Sequence, residues 1–331
     1  MALGLQNRTN IFNFVIRKMH IRMMKVKFIF NPRAGMRGIT RAVGSIIELY
    51  AKYSYEIVPV LLDFRDDCPD RILEGLCPER YHHILIAGGD GSVNYVVRTL
   101  REAGIDLPVG IIPAGTANDF SVALGMSKLP LKACEQILTG VERRVDLGMA
   151  GGRYFVNVFS FGLFTNVSQR TPTKLKNILG KAAYIMEGMS EIANLRHMQL
   201  KVTSDDGVYD GKAIMMLVFN GRTAGSIPLA RMSQMDDGLL DVLILKGESP
   251  FATADAVMRY LSGVGGSYPP SDVEHLRCRR LYIESEQQEP TDIDGQPGVA
   301  FPVDVQCLEG ALRVIVPADG SDLSDAATKV E

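Results

Sequence analysis

The stretch "ILIAGGDGSVNYVVRTL", residues 84–100, sets Gly88, Gly89, Asp90, Gly91 and Ser92 between an apolar run and a helical pattern. Residues this small let backbone N–H groups close on an anion, and the helix that follows offers its positive end to the same anion. Asp90 changes the chemistry. A carboxylate repels phosphate unless a cation stands between them, which argues for magnesium beside a phosphate-bearing ligand. Taken alone, such a turn is as often purely structural.

Two further turns strengthen the case. "IFNPRAGMRG" places Asn31, Pro32 and Gly35 at the end of one apolar strand, and "IIPAGTANDF" places Gly115, Thr116, Asn118 and Asp119 at the end of another. Each could simply cap a helix, because Asn, Asp, Ser and Thr are favoured there. Three glycine-bearing turns at one sheet edge, with hydroxyl and amide groups among them, favour a nucleotide site over three independent caps. Two Asp-Gly turns follow, "MDDGLLDV" with Asp236 and Asp237 and "DIDGQPG" with Asp294. On spacing alone, each is an ordinary turn between apolar runs.

The elements that must carry these turns alternate from residue 25. "KVKFIF", "YEIVPVLL", "HHILIA" and "VGIIPAG" have strand character. Between and after them, residues from about Arg37 to Lys52, "ILEGL", "SVNYVVRTLREAG", "NDFSVALG" and "LKACEQILTG" have helical character. This alternation predicts a parallel sheet covered on both faces, with ligands at its carboxyl edge. After about residue 141 come strands joined by Gly, Asp or Pro turns, predicting an antiparallel sandwich or open barrel. Helical stretches over about 172–195 and 252–261 interrupt it. The expected organisation is an N-terminal extension (1–24), an α/β nucleotide-binding domain (25–145), a β-rich substrate domain (146–317) and a polar tail (318–331), with a cleft between the two domains.

Composition narrows the partners. The chain has 331 residues, 46% of them hydrophobic, and a net charge of -2, so no basic field invites nucleic acid. No apolar run approaches the roughly 18 residues of a membrane span. Cysteines at 68, 77, 134, 278 and 307 lack paired short spacings, and the histidines do not cluster. Free thiols in a reducing cytoplasm fit better than disulfides or a His/Cys metal site. Arg8, Arg17, Lys18, Arg22, Lys25, Lys27, Arg33, Arg37 and Arg41 all precede the first acidic residue, Glu48. An extension upstream of the domain accounts for this; the functional alternative is a basic arm on an anionic membrane surface.

"NPRAG", "GGDGS" and "PAGTANDF", in this order and at these distances, resemble the catalytic domain of diacylglycerol kinases and related lipid kinases. "LGKAAYIMEG", "MDDGLLDVLIL" and "DIDGQPG" are similar to further signatures of the soluble bacterial branch, so the resemblance covers about residues 25–317. It implies ATP binding through Asn31, Gly89, Asp90, Gly91, Ser92, Gly115 and Thr116, with Gly35, Gly88 and Asn118 in the same turns. It implies a magnesium–water network tied to Asp90, Asp119 and Asp237, with Asp236 a near alternative to the last. It makes Asp294 the catalytic carboxylate, which receives the proton of an attacking hydroxyl. The implied activity is ATP- and Mg2+-dependent phosphorylation of diacylglycerol to phosphatidate, for phospholipid synthesis. The implied setting is cytoplasmic and peripheral to the membrane, with a homodimer allowed. NAD kinases and 6-phosphofructokinases share "GGDG", but the full motif set favours the lipid branch.

The chain departs from the family pattern at two acids: Tyr95 stands where Glu is usual, and Gln296 ends what is usually "DGE". Ser92 replaces a threonine and keeps the hydroxyl. Loss of the acids could alter metal binding, lower turnover or mark another acceptor, such as a sphingoid base or monoacylglycerol. It also leaves open a catalytically weak, nucleotide-binding regulatory homologue. On the lipid side, Lys174, Lys176 and Lys181 beside Leu175, Ile178, Leu179, Tyr184, Ile185 and Met186 suit either an interfacial helix or a solvated helix packed on the sandwich. Phe155, Phe159, Phe161 and Phe164 could line an acyl pocket, although core is the favoured place for most. Arg277, Arg279 and Arg280 suit an exposed strand edge better than a phosphate site.

Overall fold

The run "HHILIA" has little polar surface to give to water, and it becomes the buried centre of the first sheet. The computed structural model describes residues 23–34, 38–162, 197–223, 230, 233–246 and 273–318. Gly35, Phe164, the stretches at about 172–195 and 252–261 with their lysines, residues 1–22 of the extension and residues 319–331 of the tail lie outside the described residues.

The first half runs β1 (Met24–Phe30), α1 (Gly38–Lys52), β2 (Tyr55–Leu61), α2 (Cys68–Leu73), β3 (Tyr81–Gly88), α3 (Asp90–Glu102), β4 (Val109–Pro113), α4 (Asp119–Ala123) and α5 (Pro130–Leu138). β1 pairs in parallel with β2 and β3, and β3 pairs in parallel with β4. The turns after β1, β3 and β4 therefore leave the sheet at one edge. α3 turns Val93, Val96, Val97 and Leu100 inward at helical spacing. It ends beside Gly104, whose φ of +69° suits a residue without Cβ.

The second half continues with β5 (Val141–Ala150), β6 (Arg153–Phe155), β7 (Val158–Gly162), β8 (Met198–Ser204), β9 (Val208–Ala213) and β10 (Met215–Phe219). β11 (Leu240–Leu245), β12 (Val273–Cys278), β13 (Arg280–Ser285), β14 (Thr291–Ile293), β15 (Gln296–Pro297) and β16 (Val303–Val316) complete it. β12-β11-β10-β7-β14-β15 form one antiparallel sheet. Phe155, Phe159 and Phe161 are fully buried in the core shared with Met216, Val242, Leu281 and Ile283. They are core residues.

The other sheet is continuous across the chain, in the order β2-β1-β3-β4-β16-β13-β8-β9, with β5 also paired to β16. β16 meets β4 in parallel at Val314 and Val109, and it runs antiparallel to β5 and β13. Val314, Ile315 and Val316 consequently belong to the same core as β1, β3 and α3.

Asp146 on β5 locks this junction. It is 1% exposed, its Oδ1 accepts from Gly310 N–H and its Oδ2 from Gly238 N–H, each at 2.7 Å. Its own N–H donates to Met235 O at 2.7 Å. Burial pushes its pKa up, while the two N–H groups pull it down. Asp146→Ala would leave both donors without their acceptor. The expected loss of stability is about 2–5 kcal/mol at neutral pH, read as a lower urea midpoint at unchanged slope.

Candidate active site

The three glycine-bearing turns are joined by short, specific contacts. Asn31 continues from β1, and its N–H donates to Ala87 O at 2.9 Å. Its Nδ2 donates to Ser92 Oγ at 3.0 Å, while its Oδ1 accepts from Arg33 N–H at 2.9 Å. A Cβ on Gly88 would come 2.4 Å from that of Ser92. A Cβ on Gly115 would come 2.4 Å from Gly89 Cα, so the second and third turns touch backbone to backbone. Asn118 closes the third turn in the left-handed region, φ +57°, with its amide bonded to both N–H and O of Gly115. Asp90 Oδ1 accepts from Phe120 N–H at 3.1 Å, tying the starts of α3 and α4. Gly91 and Thr116 are exposed here, and a Cβ on Gly91 would meet nothing within 4 Å.

The second half supplies the opposite wall. Asp294 lies in the β14–β15 turn with φ +48°, a region that Asp tolerates better than most residues. Its Oδ2 accepts from Val156 N–H and Asn94 Nδ2, both at 2.7 Å. Its Oδ1 accepts from Asn157 N–H at 3.0 Å and Val158 N–H at 2.8 Å. Burial pushes the Asp294 pKa up to about 7 against the pull of the three backbone N–H groups, and the Asp90 charge adds to the rise. Asn157 Nδ2 reaches Asp90 Oδ1 at 3.5 Å, and Thr223 Oγ1 donates to Asp119 Oδ1 at 2.8 Å. A partly exposed carboxylate that changes charge near neutrality, bonded to Asn94 on the helix that starts at Asp90, is equipped to accept a proton.

Asp90, Asp119 and Asp294 are thus drawn into one region. Asp237 is not. Its Oδ2 pairs with Arg277 Nη2 at 2.5 Å, and its Oδ1 accepts from Leu239 N–H. The cause is register: β11 and β12 set Asp241 opposite Arg277, which carries the guanidinium to the "DDG" turn. Asp236 on the same turn is exposed. Among the described residues no group of three or more His, Cys, Asp or Glu is arranged to hold a metal. Asp90, Asp119 and Asp237 thus form no direct three-carboxylate cage among the described residues. Arg279 and Arg280 are likewise ion-paired, with Glu309 and Asp304.

Asn94, Asn157 and Thr223 were not singled out by the motifs. A buried amide in "SVNYVV" and another in "YFVNVFSF" are polar positions inside apolar patterns, which is the signal that could have found them. Tyr95 turns from Asp294 to stack edge-on against Phe64 at 5.1 Å, with Arg98 5.8 Å from its ring. Gln296 is exposed.

Comparison with known proteins bears on the fold and the family. Residues 25–150 match the family model described as the diacylglycerol kinase catalytic domain. Residues 157–316 match the one described as the YegS C-terminal NAD kinase beta sandwich-like domain. The chain is 27% identical over 306 residues to a diacylglycerol kinase of Bacillus subtilis, covering 92% of this chain and 100% of the relative. It is 28% identical to one of Staphylococcus carnosus, covering 89% and 96%. A solved Bacillus anthracis protein, provisionally named a diacylglycerol kinase, superposes with a TM-score of 0.74 at 28% identity, covering 88% of this chain and 95% of that one.

The backbone contact between turns gives a test with opposite signs. Gly115→Ala is expected to cost about 1–3 kcal/mol by overpacking. Gly91→Ala, which fills open space in the first turn of a helix, should be neutral or stabilising by at most about 1 kcal/mol. Paired urea melts of the two variants decide it.

Proposed function

Since the chain belongs to the diacylglycerol kinase catalytic-domain family and is a lipid kinase that uses ATP, we propose that it transfers the γ-phosphoryl group of ATP to the free hydroxyl of a diacylglycerol, giving phosphatidate. The observation that carries this reading is the position of Asp294, across from the glycine turns and bonded to Asn94 on the helix that begins at Asp90. In the proposed step the acceptor hydroxyl gives its proton to Asp294. Its oxygen forms the new P–O bond as the bond from the γ-phosphorus to the bridging oxygen breaks, and ADP leaves.

Asn31, Gly88, Gly89, Gly91, Ser92, Gly115, Thr116 and Asn118 would cradle the nucleotide, their small side chains allowing backbone approach. Asp90 and Asp119, brought near one another where the starts of α3 and α4 meet, offer hard oxygens that suit Mg2+, while Asp237 is ion-paired with Arg277. When bound, Mg2+ would neutralise phosphate charge. A lipid acceptor calls for contact with a membrane surface from the cytoplasmic side, and we place the chain there as a peripheral protein. No described helix is long and apolar enough to cross a membrane. Tyr95 and Gln296 lie outside the ring of donors around Asp294, which favours an active kinase over a silent homologue.

Purified protein should move label from ATP to dispersed diacylglycerol in preference to monoacylglycerol, a sphingoid base, NAD or fructose 6-phosphate. Transfer to one of the others alone would reassign the acceptor, and no transfer to any lipid would end the proposal. Asp294→Asn should lower kcat by about 10²–10⁴-fold while calorimetry finds ATP affinity nearly unchanged. The base is active when ionised, so activity present above a pH of about 7 is lost as pH falls through that value. The limb of kcat/KM against pH should drop about tenfold per unit below it, and should be missing from residual Asp294→Asn activity.

A further inference from the structure

We propose that Asn94 and Asn157 are paired positioning residues, a crossed amide clasp that sets the distance between Asp294 and the nucleotide turns. The proposal rests on Asp294 being the proton acceptor. Asn94 stands on α3, beside the turns, and spends its Nδ2 on the other half of the chain: Asp294 Oδ2 at 2.7 Å and Tyr154 O at 3.3 Å. Asn157 stands between β6 and β7 and does the converse, sending Nδ2 back to Asp90 Oδ1 at 3.5 Å while its backbone N–H holds Asp294 Oδ1. Each half of the molecule thus grips a carboxylate of the other.

Both amides are fixed in place. Asn94 is 8% exposed and sits in the helix between Val93 and Val96, which are buried. Asn157 is 5% exposed, and its carbonyl accepts the N–H groups of Asn220 and Gly221 at 2.8 and 3.2 Å. Gly221 leaves this side chain its place, since a Cβ there would come 3.2 Å from Asn157 Oδ1.

The residue type follows from the task. A neutral amide donates to a carboxylate without cancelling its charge, so the base is held and its basicity survives. Lys or Arg here would bind Asp294 more strongly and make it a poorer acceptor; Asp or Glu would repel it. Because misplacement of a reacting group by about 1 Å can cost about 10²-fold in rate, a clasp set from both sides acts mainly on kcat.

The test is steady-state kinetics with ATP and dispersed diacylglycerol on Asn94→Ala, Asn94→Asp, Asn157→Ala and the Asn94→Ala/Asn157→Ala double variant, with ATP calorimetry and thermal melts alongside. Asn94→Ala should lower kcat by about 30–100-fold, with the KM and affinity for ATP within about threefold. Asn94→Asp, equal in size, should lose at least as much, and it serves if the alanine variant does not fold. Asn157→Ala should lose about tenfold at most, because one long bond is removed. The double variant should lose less than the product of the singles, since both act on one geometry. A kcat within threefold of wild type for both Asn94 variants overturns the clasp. Losses confined to ATP affinity, or losses in step with thermal stability, overturn it equally. Asp294→Asn separates the two ideas: if it stays active, the base assignment fails; if it is inactive while the Asn94 variants are normal, only the clasp fails.

Discussion

A carboxylate withdrawn from water must be surrounded by hydrogen-bond donors or give up its charge, and Asp294 imposes that requirement on the junction between the two halves. Three consecutive backbone N–H groups, from Val156, Asn157 and Val158, answer it from the β6–β7 corner. The fourth donor comes from α3, about 200 residues earlier in the chain. That ring can exist only if β7, β14 and α3 hold their mutual places, so the two sheets and the helix are arranged around one acidic side chain. The same partial withdrawal from water brings its pKa near neutrality, which links the structural demand to proton acceptance.

The nucleotide turns were legible in the sequence because their information is local. Small residues at a strand end, followed at once by a helical pattern, report a close approach of backbone to something, and Gly88, Gly89 and Gly115 do make such approaches. The strand–helix alternation of the first half was equally plain, since a sheet covered on both faces leaves long apolar runs. Asp294 was harder. Asp-Gly between apolar segments describes any hairpin, and only resemblance to a family distinguished it. Its ring of donors depends on contacts made far along the chain, which no window of residues contains.

Two other features were hidden for related reasons. Asp237 looks like a metal ligand as a sequence element, but cross-strand register decides which side chain faces it, and that side chain is Arg277. The asparagines at 94 and 157 were visible as polar interruptions of apolar patterns, yet a buried amide can satisfy itself in many ways. Its partners emerge when the halves meet. In sequence the last strand is one more member of an antiparallel set, because "LRVIV" carries no mark that tells parallel from antiparallel pairing. In fact it does both.

That strand has a bearing on how the molecule comes into being. A ribosome delivers β1 to β4 long before residues 303–316, so the flank of β4 that will receive β16 stays open while nearly two hundred further residues are made. An unpaired flank is a template for other strands. The nascent chain must therefore spend most of its synthesis with a sticky border exposed, and closure of the α/β half is among the last events of its birth.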